Sequence, residues 1–367
     1  MARRSRSRET VVDGVVVVGG GYAGLIAARN AEQRDVAVTI VDPTGRHDHV
    51  TRLAAVAGGA ASVDDASTEL AEFGHAVLIG ELATVADGVV TLSDGRSVVA
   101  DAIVVAAGAV PSLPDIPGLE RALTLRTADD ALTIRSRVGD SDSVVIIGAG
   151  PTGVQLAGAI AHVHRRTSVR IVEHGDRLLS ALSSDLGDGA ERVLRDRGVA
   201  IELGATVDEV TVDGVVVDGA AHDGLVIWAG GFAPNADGLG VPVNDDGRIR
   251  VGRDLRIDGM ERTFAAGDIA GHTTSSGDPL PMSAQIAVQA GETAGANAAR
   301  LVAGRPLSDA SLAQRGWVLD LSGQRGLAEF GPIRFANPFS DLIPPFLHDV
   351  IDLKTRYDLG GLGGLLH

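Results

Sequence analysis

The chain contains no cysteine. Without thiols it can form neither disulfides nor thiolate metal sites, and redox chemistry that passes through a cysteine is excluded. Lysine is almost as scarce, since Lys354 is the only one, so arginine carries nearly all the positive charge. The formal net charge of −16 argues against a nucleic-acid partner, because binding to the phosphate backbone relies on basic side chains.

Long apolar runs are missing as well. No stretch reaches the roughly 18 uninterrupted apolar residues that a membrane-spanning helix requires. Arginines at positions 3, 4, 6 and 8 precede apolar residues, which is a weak sign of an export signal. The valines at 15–18, however, lead into a glycine-rich motif and are better explained as a first strand. We expect a cytoplasmic protein, with peripheral attachment to the inner face of the membrane as the alternative.

The chain contains two copies of one phosphate-binding fingerprint. Residues 15–24 read VVVVGGGYAG and residues 144–153 read VVIIGAGPTG, each an apolar run leading into G-x-G-x-x-G. The glycines permit a tight turn and let the backbone approach a pyrophosphate at the start of the following helix. An acid ends the next apolar run in each case, Asp42 and Glu173, where a carboxylate binds ribose hydroxyls. Two such motifs predict two dinucleotides bound by one chain.

The two fingerprints belong to two units with the same layout. Residues 11–117 form the first unit, with a helix predicted at 25–33, and residues 118–236 form the second. Proline-marked crossovers at 109–118 and 232–235 close the two units. The composition and spacing therefore predict alternating strands and helices in both.

A return segment follows the second unit. Residues 263–268 (TFAAGD) read as another strand, and residues 283–300 read as a helix rich in small residues. We therefore predict an α/β fold of two Rossmann-like domains in which the second is inserted into the first. Residues 237–310 complete the first domain, and residues 311–367 form a C-terminal segment without a counterpart in either.

Over about residues 11–305 this pattern resembles the two-dinucleotide-binding-domain flavoproteins, and most of all the type II NADH dehydrogenases (NADH:quinone oxidoreductases). The resemblance implies that residues 11–117 and 237–310 bind FAD and that residues 118–236 bind NAD(P)H. It implies cofactor-binding residues in both fingerprints, at the ends of the strands and in two later segments. These are Gly19, Gly21, Tyr22, Ala23, Gly24, Asp42, Gly108, Gly148, Gly150, Pro151, Gly153, Glu173, Gly230, Gly267, Asp268 and Ala284.

Residues 284–289, AQIAVQ, match an A-Q-x-x-x-Q segment that lies by the isoalloxazine and the quinone site in that family. Gln285 and Gln289 are four residues apart and share one helix face. We predict both as catalytic residues, together with His272 after the Gly-Asp pair; the alternative for the glutamines is a solvated helix surface. His47 and His49 are either proton donors near the flavin or part of a polar loop.

The choice of nicotinamide nucleotide depends on Glu173. A carboxylate at this position repels a 2′-phosphate and accepts hydrogen bonds from a 2′-hydroxyl, so NADH is favoured over NADPH. Arg170 and Arg177 lie close enough in sequence to weaken that preference.

The chain departs from the family at several positions. Gln155 and Ala159 stand where the family has the two acids of a G-V-E-L-A-G-E helix, and a Lys–Glu pair near the flavin is excluded by the position of Lys354. In the family amphipathic C-terminal helices bind the membrane. Here the apolar residues of the run at 346–353 are flanked by acids, so we expect weak or no membrane association and packing on the protein or on a second subunit of a homodimer.

The predicted function is FAD-dependent transfer of hydride from NADH, with electrons passed on to a small quinone-like acceptor. Cysteine-dependent relatives such as sulfide:quinone reductases are excluded, and no metal site is predicted. Two alternatives stay open. One is an NADH-dependent reductase of a ferredoxin or rubredoxin-type carrier. The other is a slow-turnover, redox-responsive flavoprotein of the apoptosis-inducing-factor type.

Overall fold

The computed structural model describes residues 9–331 and 333–335 of the chain. Within them there are six α-helices, which we number in chain order. They are α1 Tyr22–Glu32, α2 Leu53–Ala57, α3 Ala128–Gly139, α4 Pro151–Val163, α5 Ser184–Asp196 and α6 Ala284–Val302. Three short 3₁₀ helices lie at Val63–Asp65, Leu70–Phe73 and Leu119–Arg121.

The first unit is built on a mixed sheet. Its parallel part has the spatial order Ala76–Ile79, Val38–Asp42, Glu9–Val18, Ser97–Val105. The first half of Ser97–Val105 pairs with the antiparallel strand Val89–Leu92, which in turn pairs with Leu82–Ala86. The second half of Ser97–Val105 pairs with the parallel strand Thr263–Ala265. The chain thus leaves this sheet after residue 105 and rejoins it at residue 263, which confirms the predicted insertion.

The inserted unit has its own sheet, in which all strands are parallel. The spatial order is Leu123–Thr124, Leu225–Trp228, Ser143–Ile147, Ser168–Glu173, Ala200–Leu203. The central strand is almost all valine and isoleucine and is buried, as expected where helices cover a parallel sheet. The predicted limits of the two domains, 117/118 and 236/237, stay predictions.

Four smaller sheets complete the described part of the chain. An antiparallel meander packs on the second unit, and a two-stranded antiparallel sheet has α2 in the connection between its strands. The meander consists of Val207–Val210, Gly214–Val217 and Ala220–Asp223, and the two-stranded sheet pairs Arg46–Asp48 with Ser67–Glu69. The two proline-marked crossovers pair with each other, as Ala109–Pro111 with Phe232–Pro234. The C-terminal segment forms an antiparallel sheet of Trp317–Asp320, Gly326–Phe330 and Ile333–Phe335.

Helices α1 and α6 are in direct backbone contact. A Cβ at Gly291 would lie 2.4 Å from the carbonyl oxygen of Ala23, and one at Gly295 would lie 2.1 Å from that of Ala27. Only glycine permits this approach, so the small residues predicted in α6 bring it onto the helix that follows the first fingerprint.

Two segments join the units beyond the crossovers. Helix α2 follows the first unit's early strands, yet Leu53 and Val56 pack into the core of the second unit beside α3 and α4. Leu319 and Leu327 of the C-terminal sheet pack into the same core. The apolar run at 346–353, expected to pack on the protein or on a second subunit, lies outside the described residues. Among residues 9–331 and 333–335, no helix is both long and apolar enough to cross a membrane.

Candidate functional site: two dinucleotide cradles

The first fingerprint forms an open cradle at the N-terminus of α1. Among the described residues no side chain caps that helix, so its first backbone N–H groups can bind an anion. A Cβ at Gly19 would lie 2.3 Å from the oxygen of Ala106, and one at Gly24 would lie 1.8 Å from that of Gly19. A Cβ at Gly21 would have no atom of residues 9–331 or 333–335 within 4 Å. The first and third glycines thus serve internal packing, whereas the second leaves the backbone open to a ligand.

The second fingerprint repeats this geometry at the N-terminus of α4. This helix also has no side-chain cap from the part of the chain that the structure describes, and it begins with Pro151. A Cβ at Gly148 would lie 2.6 Å from the oxygen of Ala229, and one at Gly153 would lie 2.0 Å from that of Gly148. Again the second glycine, Gly150, faces open space.

The two predicted ribose-binding acids are held in the same way. Asp42 Oδ2 accepts the N–H of Gly20 at 2.8 Å, and Glu173 Oε2 accepts the N–H of Ala149 at 2.6 Å. The second oxygen of each carboxylate accepts N–H groups of the turn that follows, from Thr44 and Gly45 at 2.9 Å and from Gly175 at 2.7 Å. Each acid is therefore fixed against the middle residue of its G-x-G motif before any ligand arrives.

The Gly-Asp turn closes over the first cradle. Gly267 adopts a φ of +80°, and a Cβ there would lie 2.9 Å from that of Ala23 at the start of α1. Asp268 follows it, and Ala284 begins α6 a short distance along the chain. The structure thus brings the predicted Gly-Asp turn and the first fingerprint together.

The ends of later strands lie beside both cradles. Gly108, with a φ of +68°, follows Ser97–Val105 in the first unit. Gly230 follows Leu225–Trp228 in the second, and its nitrogen would lie 2.8 Å from a Cβ at Gly148. Both positions agree with the predicted assignment, although the contacts of these glycines with a ligand stay predictions.

Arg126 is a site residue that the sequence did not reveal. Its Nη2 donates to Asp268 Oδ2 at 3.2 Å, and its Nε donates to the oxygen of Ala109 at 2.9 Å. The guanidinium carbon lies 5.2 Å from the ring centroid of Phe232. Arg126 belongs to the second unit, so this cation joins both crossover strands to the Gly-Asp turn of the first. No local pattern signals such a long-range contact.

Two buried histidines hold the backbone of the first cradle. His272 accepts the N–H of Gly267 at Nε2, over 3.1 Å, and His47 Nδ1 lies 2.8 Å from the oxygen of Gly20, to which it donates. Burial lowers the pKa of His272 to about 4 and that of His47 to about 3, helped by the nearby cations Arg248 and, when charged, His49. Both rings are therefore neutral near pH 7. His47 is not a solvated loop residue, and a catalytic role for His272 stays a prediction.

The two predicted catalytic glutamines are bonded to a segment far along the chain. Gln289 pairs with the backbone of Ala313 in both directions, as donor and acceptor, at 3.0 Å each. Gln285 Oε1 accepts the N–H of Arg315. The pair shares a helix face as predicted, and both side chains are half-buried and bonded to the backbone of residues 313 and 315.

The model of the pyridine nucleotide-disulphide oxidoreductase family matches residues 13–291. The chain belongs to this family. Membership implies a flavin and a nicotinamide cofactor, and both cradles described above fit a dinucleotide. The family is named for disulphide chemistry, which this member cannot perform through its own side chains because it has no cysteine.

Two curated relatives and one solved structure are informative. The type II NADH:quinone oxidoreductase of Mycobacterium tuberculosis is 28% identical, with 93% of this chain and 85% of that protein covered. The demethylphylloquinone reductase of a Synechocystis strain is 29% identical over 228 residues, and the match spans 56% of its length and 58% of this chain. The structure of NDH2 from Plasmodium falciparum with NADH covers 98% of both chains with a TM-score of 0.80, at 15% identity, and therefore supports the fold alone.

The structure explains one of the oxidoreductase's departures from its relatives. Ala159 is fully buried, and a Cβ at Gly58 would lie 2.4 Å from its Cβ. A glutamate at 159 would place a carboxylate where α2 packs on α4, without room or a charge partner. Gln155 is bonded instead, since its Oε1 accepts the N–H of Asp320 at 3.1 Å. In this chain Ala159 therefore serves packing, whereas Gln155 serves as a hydrogen-bond acceptor for the backbone of Asp320.

Proposed function

We propose that the oxidoreductase transfers hydride from NADH to FAD and passes the electrons to a quinone. The observation that carries this proposal is the pair of matching cradles, in which an uncapped helix, an open second glycine and a fixed acid recur in one chain. When bound, the flavin supplies the hydride-accepting and electron-donating chemistry. The residues of the chain supply the binding and orientation.

The first cradle suits FAD because it carries a second carboxylate. Asp42 lies at the ribose end of the fingerprint, and Asp268 lies in the turn over the start of α1. FAD contains both a ribose and a ribityl chain, and the resemblance places the ribityl hydroxyls on the aspartate of this turn. Arg126, bonded to Asp268, holds that carboxylate in place and adds positive charge beside it.

The second cradle suits NADH rather than NADPH. Glu173 presents a carboxylate at the ribose position, which disfavours a 2′-phosphate. Of the two arginines that could offset this, Arg177 donates to the carbonyl oxygens of residues 179, 180 and 182, and Arg170 pairs with Glu202. Both guanidiniums already have partners within the chain, which supports Glu173 as the group that sets the preference.

The electron acceptor is proposed from the relatives and from the composition of the chain. A quinone is supported by the relatives of similar length, which are named NADH:quinone oxidoreductases, and by the absence of thiols, which removes a disulfide as the acceptor within this chain. Peripheral and cytoplasmic locations both agree with such a reaction. We propose weak or no membrane association.

Anaerobic double-mixing stopped flow tests the acceptor. The flavin is bleached with NADH, and the reduced protein is then mixed with a menaquinone or ubiquinone analogue. Fast recovery of flavin absorbance supports the quinone assignment. Fast bleaching with slow recovery, reversed by added ferredoxin or rubredoxin, would instead favour a protein carrier. A long-lived charge-transfer absorbance that neither acceptor discharges would favour a redox-responsive protein.

A further inference from the structure

Residues 312–322, which we call the strap, connect the cores of the two units. At one end Leu312, which is 7% exposed, packs in the core formed by α1 and α6. At the other end Leu319 and Leu321, 2% and 0% exposed, pack in the core that contains α3 and α4. The strap is therefore anchored by apolar burial in both cofactor-binding units.

Side chains of α6 hold the first end of the strap. Gln289 Nε2 donates to the oxygen of Ala313 while its Oε1 accepts the N–H of the same residue, as a neighbouring strand would. Gln285 accepts the next alternate N–H, from Arg315. Ser283, the cap of α6, donates to Gln314 at 3.0 Å. The glutamine pair that shares a helix face thus binds alternate residues of the strap.

Two side chains of the second unit hold the other end. Gln155 on α4 accepts the N–H of Asp320 at 3.1 Å. The Arg197 guanidinium donates to the carbonyl oxygens of Gly158, Leu321 and Ser322. One half-buried cation therefore ties the backbone of α4 to the backbone of the strap.

Helix α4 is consequently in contact with other segments of the chain on two neighbouring faces. A Cβ at Gly158 would lie 2.9 Å from the oxygen of Leu321, so the strap touches the helix backbone directly. The next residue, Ala159, lies against Gly58 of the loop that ends α2. The N-terminus of this same helix forms the second cradle, at Gly150.

We propose that the strap sets the position of the second cradle relative to the first, and that Gln285, Gln289, Gln155 and Arg197 are positioning residues that fasten it. The inference rests on the proposed function for the assignment of NADH to α4. It predicts that loosening either end displaces the nicotinamide from the flavin. Hydride transfer is sensitive to such displacement, because misplacement by about 1 Å can cost on the order of 100-fold in rate.

The kinetic test compares variants at opposite ends of the strap. The Gln285→Ala/Gln289→Ala double variant and Arg197→Met are each reduced by NADH in anaerobic stopped flow, and the reduced forms are then reoxidised by a quinone analogue. Both should show flavin reduction slowed about tenfold or more, and Arg197→Met, which lies outside the predicted acceptor site, should keep reoxidation within about twofold of the parent. Two matched controls should leave both steps unchanged. Arg195→Met removes an exposed arginine from the last turn of α5, just before Arg197, where it is ion-paired with Glu191. Gln33→Ala removes an exposed glutamine.

If the double variant slowed only reoxidation while Arg197→Met left reduction unchanged, the strap proposal would be wrong and the glutamines would belong to the acceptor site. Flavin content and thermal unfolding of each variant show whether it is folded and loaded. Gln289→Glu is a milder second variant. The glutamate keeps an acceptor for the N–H of Ala313 but places a carboxylate oxygen against the carbonyl oxygen of Ala313 in place of a donor. Flavin reduction should therefore slow in this variant as well.

A structural readout needs no turnover. Because the chain has no cysteine, Ser93→Cys and Asp188→Cys introduce two unique, exposed labelling sites, one in each unit. Single-molecule energy transfer between dyes at these sites should give a narrow distribution in the parent and a broadened or shifted one with Arg197→Met. Unchanged distributions in all the strap variants would overturn the proposal. A parent that NADH fails to reduce would count against the proposed function, while the energy-transfer comparison would still test the strap.

Discussion

Adding one methyl group to the second glycine of each fingerprint should remove ligand binding without unfolding the protein. Gly21 and Gly150 have φ values of −74° and −70°, which alanine adopts freely, and a Cβ at either position meets no protein atom within 4 Å. Replacing a glycine N-cap by alanine costs about 1 kcal/mol or less. The apoprotein should therefore keep nearly all of its stability in both variants.

The cost should appear in binding. The methyl group of Gly21→Ala would occupy the space through which a pyrophosphate approaches the N-terminus of α1. Loss of one or two charge-assisted hydrogen bonds, each worth about 1.5–3 kcal/mol, weakens FAD binding by roughly 10- to 1,000-fold or more. Gly150→Ala should raise the Kd of NADH to a similar extent and leave FAD bound. Fluorescence titration of apoprotein with FAD, and of holoprotein with NADH, measures the two constants separately.

Variants at the third glycine of each fingerprint serve as matched comparisons, because there the added methyl group should affect folding. A Cβ at Gly24 would lie 1.8 Å, and one at Gly153 2.0 Å, from a backbone oxygen of the same motif. Gly24→Ala and Gly153→Ala should therefore lower the free energy of unfolding by several kcal/mol, since overpacking already costs about 1–3 kcal/mol in less crowded sites. Unchanged FAD binding by Gly21→Ala, or unchanged NADH binding by Gly150→Ala, would refute the assignment of phosphate cradles.

Three further predictions concern specificity, pH and the missing acid. Glu173→Ala should narrow the preference for NADH over NADPH about tenfold or more, measured as the ratio of kcat/KM values; an unchanged ratio would show that another group selects the nucleotide. In the folded protein burial lowers the pKa of the His272 imidazole to about 4, whereas in the unfolded chain the pKa of the same imidazole is about 6.5. The contribution of His272 to the free energy of unfolding should hence be fully present above pH 6.5 and fall by about 3 kcal/mol toward pH 4. Denaturant titrations of His272→Phe should show a shallower fall of the free energy of unfolding over this range. Ala159→Glu should destabilise the fold by about 3 kcal/mol or more in urea unfolding, because it buries a charge without a partner against Gly58; unchanged stability would show that α2 can move aside.

The fingerprints allowed most of the fold to be predicted because their signal is local. Strand, turn, helix start and acid all lie within about 30 residues, and each element follows from a short stretch of sequence. The boundaries were less accurate. Helix α1 begins at Tyr22 rather than at residue 25, because the last residues of the fingerprint already belong to the helix whose N-terminus they open.

Long-range contacts escaped prediction. Arg126 reaches Asp268 across 142 residues, and Gln155 reaches Asp320 across 165. The sequence gives no periodic signal for either contact, since both depend on how the inserted unit is placed on the first. The same reason explains why α2, which belongs to the first unit in sequence, packs in the core of the second.

The two glutamines illustrate the limit of spacing arguments. Their separation correctly predicted a shared helix face, because four residues make about one turn. What covers that face was not predictable, since the covering segment at 313–315 has no motif of its own and follows α6 by about ten residues of irregular chain. A role near the acceptor stays a prediction for both glutamines, and the kinetics of the strap variants distinguish it from a role in fastening the strap.

The central claim, direct hydride transfer between two bound dinucleotides, is tested most directly by anaerobic reduction with NADH deuterated stereospecifically at C4. The account predicts rapid bleaching of the flavin absorbance, slowed by a primary isotope effect for one of the two C4 stereoisomers and not for the other. The absence of bleaching at saturating NADH, or bleaching without an isotope effect for either stereoisomer in a single-turnover experiment, would contradict it.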